Sequence, residues 1–173
     1  NPKVVGQEIL AAVYGGIVRS VDGGQTWTTV LGTDLLNVNP GTDLNDVNSI
    51  FYTDIHRTSD GTFYASLSAE TNAPNVYSPV AGVYKSTDGA NWERVLSLNN
   101  TRARRTEIAS CQTQPNILYF LADLGTANYG LWKYNSTTQE LDNLSANVPD
   151  GVGEIEAFDS QGSYNMVVNV LPT

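Results

Sequence analysis

The chain has 173 residues, of which 40% are hydrophobic and 16% charged, enough apolar material for one packed domain and too much for a disordered chain. Its 18 acidic and 9 cationic side chains leave a net charge of −9 and a pI near 4.3, a balance that repels a phosphate backbone and excludes nucleic acid as a partner. A single cysteine, Cys111, excludes an internal disulfide and any CxxC metal or redox motif, and no stretch approaches the roughly 18 apolar residues of a membrane-crossing helix.

The chain opens at Asn1, carries its one methionine at Met166 and reads as a piece of a longer protein. Few lysines and many Asn, Thr and Ser favour an exported location, extracellular or at the cell surface. In chain order, alternating apolar runs predict strands at Ile9–Tyr14, Ser49–Ile55, Thr62–Leu67, Thr106–Cys111, Ile117–Ala122, Glu154–Phe158 and Tyr164–Leu171. No segment has a capped 3.6-residue period, so very little helix is expected.

Three further segments repeat one pattern of glycine, aliphatic residue, bulky residue, cation and small or polar residue. They are Gly16–Ser20, Gly82–Ser86 and Gly130–Tyr134. In the first two a polar turn and a tryptophan follow: Ser20, Asp22, Gly24 and Trp27, then Ser86, Asp88, Gly89 and Trp92. In the third the turn is Asn135–Glu140, and Leu141 replaces the tryptophan. Each unit predicts a β-hairpin, with glycine supplying positive φ, the Asp carboxylate accepting backbone N–H groups, and the indole packing beneath the turn. This reading makes the two aspartates structural.

Grouped in fours, the runs form pieces at about 8–31, 48–98, 105–145 and 153–171. Four-stranded antiparallel units repeating roughly every 45–65 residues are the signature of β-propeller blades. The fold class is therefore all-β, a partial β-propeller domain spanning 1–173 with about three and a half blades. An open segment of a ring of about six to eight blades is preferred over a ring of about four closed by its own ends. The remaining blades of the parent propeller are then partners of this chain.

Ser20-x-Asp22-x-Gly24-x-x-Trp27 and the one-residue-shorter Ser86-x-Asp88-Gly89-x-x-Trp92 resemble the Asp-box, or BNR, motif. The chain is thus similar to the Asp-box propellers, a superfamily that includes sialidases, sortilin-type receptor domains and xyloglucan-degrading glycosidases. In that family the box is a structural turn between the third and fourth strands, far from the ligand face, and activity varies widely among members. An Arg-Ile-Pro motif and the arginine triad of sialidases are missing here, so the resemblance gives no basis for carboxylate capture of that type. No residue is assigned a catalytic role.

Blade geometry sends the Asp-box turns and the tight turns at Ser59–Gly61, Gln114–Asn116 and Ser160–Gly162 to one end. Long connections, Gly32–Val47 and Ser68–Ala81, and shorter ones, Asn99–Arg105 and Asp123–Tyr129, leave the other. Irregular loops gathered on a rigid scaffold are where binding resides. Its candidates are Arg102, Arg104 and Arg105, a third of the positive charge, able to grip a carboxylate or sulfate or else to neutralise Glu93 and Glu107 across strands. Asp34, Asp43, Asp46 and Glu70 are oxygen donors whose spacing fits no EF-hand, so no metal or cofactor is assigned. Tyr77 is a stacking aromatic. His56, the one histidine, and Cys111, in an apolar strand, read as structural. Two functions remain: a non-catalytic extracellular module binding a protein or glycan through the long-loop face, which is preferred, and part of a glycoside hydrolase.

Overall fold

A computed structural model describes residues 7–32, 52–68, 78–99, 101–125, 128–148 and 166–171. Among the described residues, eleven strands fall into three antiparallel sheets. The first holds β1 (Ile9–Val13), β2 (Gly16–Ser20) and β3 (Thr28–Gly32). The second holds β4 (Thr53–Arg57), β5 (Phe63–Leu67), β6 (Gly82–Ser86) and β7 (Glu93–Ser97). The third holds β8 (Thr106–Cys111), β9 (Gln114–Asp123), β10 (Tyr129–Asn135) and β11 (Glu140–Asn143). Each sheet is an up-and-down meander, and among the described residues the only helical turn is Ser145–Asn147.

The sheets stack face to face, and the period-2 alternation of the strands shows how. In β5, Tyr64 and Ser66 point toward the third sheet, where the Ser66 hydroxyl donates to the Thr106 carbonyl at 2.7 Å and the Tyr64 ring meets Tyr134 edge-on. Leu67, on the opposite face of β5, packs with Tyr84, Trp92 and Leu31 of β3 in the first sheet. A sheet covered on both faces needs apolar residues on both, and four of the five β5 residues are buried. The main core lies between the second and third sheets, around Tyr64, Val83, Leu118, Phe120 and Tyr134. Burying Phe120 alone contributes about 1.5–3 kcal/mol.

The repeated glycine that opens β2 and β6 is required by close approach. A Cβ at Gly16 would run into the Leu31 carbonyl, and one at Gly82 into the Leu96 carbonyl, because the return strand of each hairpin, β3 or β7, lies directly against it. At Gly130 the space is filled by the Trp132 ring instead.

The two Ser-x-Asp turns have the predicted construction. Asp22 Oδ1 accepts the amides of Gln25 and Thr26 at 3.0 and 2.9 Å, and the Ser20 hydroxyl accepts the Gly24 amide at 2.8 Å. Asp88 Oδ1 takes the amides of Ala90 and Asn91 at 2.9 and 2.8 Å, with Ser86 accepting from Gly89 at 2.8 Å. The missing residue of the second turn has a consequence. Trp27 donates its indole N–H to the Gly24 carbonyl at 3.0 Å, whereas the buried indole N–H of Trp92 has no acceptor.

Three expectations shift. The tight turn expected at Gln114–Asn116 falls at Gln112 and Thr113, and β9 already begins at Gln114. The strand expected at Ser49–Ile55 is described as Thr53–Arg57, with its first residues outside the described set. The strand expected over Tyr164–Leu171 is irregular across 166–171. There Met166 is buried against Leu121 and Tyr129 and Val168 packs beside it, while Val167 and Leu171 are exposed. These residues cap the outer face of the third sheet by side-chain packing, which needs no ladder. The expected strand Glu154–Phe158 lies outside the described residues.

Candidate functional site at the long-loop end of the inner strands

The end carrying the tight turns spends its polar groups internally. Asp22 and Asp88 are bound up as above, and the hydrogen bonds of Asp22 hold its carboxyl down at about 2, from an ordinary 3.8. Asp60 accepts from the Thr58 hydroxyl at 2.6 Å and the Thr62 amide at 3.0 Å, which lowers its pKa too. Ser59 donates across to the Gln112 carbonyl at 2.7 Å, tying the second sheet to the third. Acids already saturated by local donors have little left for a ligand.

The opposite end is built differently. The β1–β2 turn presents Tyr14, 38% exposed, and the Thr53 hydroxyl pins that turn to β4 by donating to the Val13 carbonyl at 2.8 Å. Next along the chain from this anchor is Asp54, whose Oδ1 accepts the Ile55 amide at 2.8 Å and whose Oδ2 accepts the Ile108 amide of β8 at 3.3 Å. One residue before Ile108 is Glu107, which forms an ion pair with Arg105. Burial pushes the Glu107 carboxyl above its ordinary value; Arg105 opposes that push and the neighbouring Asp54 charge adds to it.

Ordinary ladder pairing fixes the surrounding arginines. The Arg104 amide donates to the Asp123 carbonyl at 2.8 Å and the Asp123 amide to the Arg105 carbonyl at 2.9 Å, extending the β8–β9 ladder beyond the strand start. Arg102 is exposed, and its aliphatic stem lies against the turn at Gly125. A tyrosine of the first sheet, a carboxylate of the second and an arginine–glutamate pair of the third thus share one end of the molecule. Such a set can stack on an apolar ring face and exchange hydrogen bonds with hydroxyl groups.

Of the residues singled out in the sequence, Arg102, Arg104 and Arg105 do lie at this end. The pairing of Arg105 is with Glu107, two residues along its own segment, while Glu93 stands opposite Lys85 in the β6–β7 ladder. Asp34, Asp43, Asp46, Glu70 and Tyr77 lie outside the described residues. Among the described residues no three His, Cys, Asp or Glu side chains gather as metal ligands. Tyr14 and Asp54 are absent from the sequence candidates, and Glu107 enters there only as an acid for the arginines to neutralise. A positional rule would have found the acids: the first residues of an innermost strand sit at the long-loop end.

Stacked antiparallel meanders of three and four strands define the chain as a β-propeller segment. The chain is similar to the crystal structure of the GH74 enzyme of Niastella koreensis, with a TM-score of 0.53 and 19% identity over 82% of this chain. It spans 21% of the length of that enzyme. No family model matches the chain, and no curated protein does.

Proposed function

We propose that this chain is part of a secreted or surface-exposed Asp-box propeller that binds a carbohydrate at the long-loop end of its inner strands, without cleaving it. The observation that carries the reading is the convergence there of exposed Tyr14, Asp54 and the Arg105–Glu107 pair from three different sheets. Sugars are recognised by stacking on an aromatic face combined with planar hydrogen-bonding groups, and these are the chemical types present. The fold likeness to a glycoside hydrolase propeller adds support of a general kind. The remaining blades of the ring complete the site on either side. Affinity electrophoresis of the full chain against a panel of soluble polysaccharides tests the reading. Retardation by at least one glycan, weakened in Tyr14→Ala, is expected; unretarded migration with every glycan rejects it.

A second reading is favoured by one specific feature. Burial raises the Glu107 carboxyl above its ordinary value and the neighbouring Asp54 charge adds to that push, the direction a general acid needs. In that reading the chain contributes an acid to a glycoside hydrolase. Reducing-end release from a bound glycan, abolished in Glu107→Gln with binding intact, would replace the binding-module reading with this one.

A further inference from the structure

At the other end of the same two inner strands, His56 of β4 faces Ser110 of β8, with the imidazole Nε2 2.8 Å from the serine hydroxyl. We infer that Ser110 and His56 form a nucleophile–base pair able to hydrolyse a small carboxylic ester. The pair is made across two sheets and has no counterpart in linear sequence. It shares Asp54 with the carbohydrate reading but does not rest on it.

Four features beyond the distance support it. Both side chains are half-buried, neither sealed in the core nor fully solvated. Burial pushes the imidazole below its ordinary 6.5, so at neutral pH it is the uncharged base that a serine hydroxyl needs. Asp54 lies two residues before His56 on the same face of β4, and its carboxylate favours the cationic imidazole. Because the Ile55 and Ile108 amides hold that carboxylate in place, its charge is fixed before any imidazolium forms. The β8–β9 ladder also breaks at this point: Ser110 pairs with Leu118 but Cys111 pairs with Gln114, so β9 loops out around Pro115 just beside the serine.

The step balances without a cofactor. The Ser110 oxygen attacks the ester carbonyl as its proton passes to His56 Nε2; the C–O bond to the alcohol breaks, and the alcohol leaves with that proton. Water then attacks the acyl-serine, giving its proton to His56, and the carboxylic acid departs as Ser110 recovers a proton. Besides Asp54, the ionisable group facing the pair is Tyr64, opposite His56 on β5; Arg57 on β4 and Glu107 and Cys111 on β8 fall on the alternate faces of their strands. Burial raises Tyr64 to about 12, so it stays uncharged throughout the neutral range.

The test is covalent labelling of the full chain with a fluorophosphonate, read by peptide mass spectrometry, alongside turnover of p-nitrophenyl acetate. An adduct on Ser110 is expected. Turnover should fall about a hundredfold or more in Ser110→Ala and His56→Gln, and in the unaltered chain it should fall as the pH drops below the depressed imidazole value. Labelling of the unaltered chain decides the matter even if the variants fold poorly. Absence of a Ser110 adduct, or the same turnover in folded Ser110→Ala, overturns the inference, and a purely structural hydrogen bond would give that outcome.

Discussion

Asp22 and Asp88 do the same job with different spacing, and the difference is measurable. In both turns one carboxylate oxygen gathers two backbone amides, a charge-assisted arrangement that keeps the carboxyl ionised far into acid. The folded value for Asp22 is about 2 against an ordinary 3.8, so its contribution to stability is present above 3.8 and is lost as pH falls toward 2. Melting curves of the chain and of Asp22→Ala should therefore lie well apart near neutrality and converge across that window. The indoles separate the turns again. Trp27→Phe removes a hydrogen bond and should cost about 0.5–1.5 kcal/mol more than Trp92→Phe, whose N–H has no partner to lose, by urea denaturation. In the third turn Gln139 occupies φ 61, where a side chain is strained. Gln139→Gly should stabilise the chain by about 0.5–1 kcal/mol in the same assay, the relief of strain exceeding the entropic cost of glycine.

Between elements, the junction of the second and third sheets is where stability concentrates. Phe120 is fully buried there and stacks on Tyr134 with ring centroids 6.0 Å apart. Phe120→Ala should cost about 3–5 kcal/mol, more than any surface change in the Ser-x-Asp turns. The inner edge of the same junction is polar and sensitive to acid. The folded imidazole of His56 has a depressed pKa, so the unfolded chain binds its proton first, and stability is lost as pH falls from 6.5 toward the folded value. Glu107 acts in the opposite sense, its raised carboxyl favouring the folded state as pH drops through the range just above 4.5. Comparing unfolding free energies of the chain and His56→Gln between about pH 7 and pH 5 isolates the histidine: the gap should change with pH and flatten once the folded imidazole is protonated.

For the whole molecule, the two ends differ in polarity, and the proposed binding rests on that difference. One end is closed by turns whose acids are saturated, and the other offers Tyr14, Asp54 and Arg105–Glu107. Removing an aromatic stacking surface is expected to cost about 0.5–1.5 kcal/mol, so Tyr14→Ala should weaken glycan binding by roughly two- to tenfold, read by the same affinity electrophoresis. Much of this architecture was legible beforehand. Glycine, alternating apolar residues, a Ser-x-Asp turn and a tryptophan are local instructions, and β2, β3, β6 and β7 formed where they pointed. The segment 166–171 was misread because alternation records which side chains are buried and says nothing about whether a ladder partner is present. Met166 is buried by packing on Leu121 and Tyr129.

The sequence by itself determined the hairpins, their turns and the two-faced burial that makes the sheets stack, since each depends on residues a few positions apart and on a period of two. Only the tertiary structure decided which residues meet across sheets. Asp54 reaches Ile108, His56 reaches Ser110 and Thr53 anchors the Tyr14 turn, because the stacking of neighbouring sheets brings their inner strands side by side. Contacts set by that stacking leave no periodic trace in the chain.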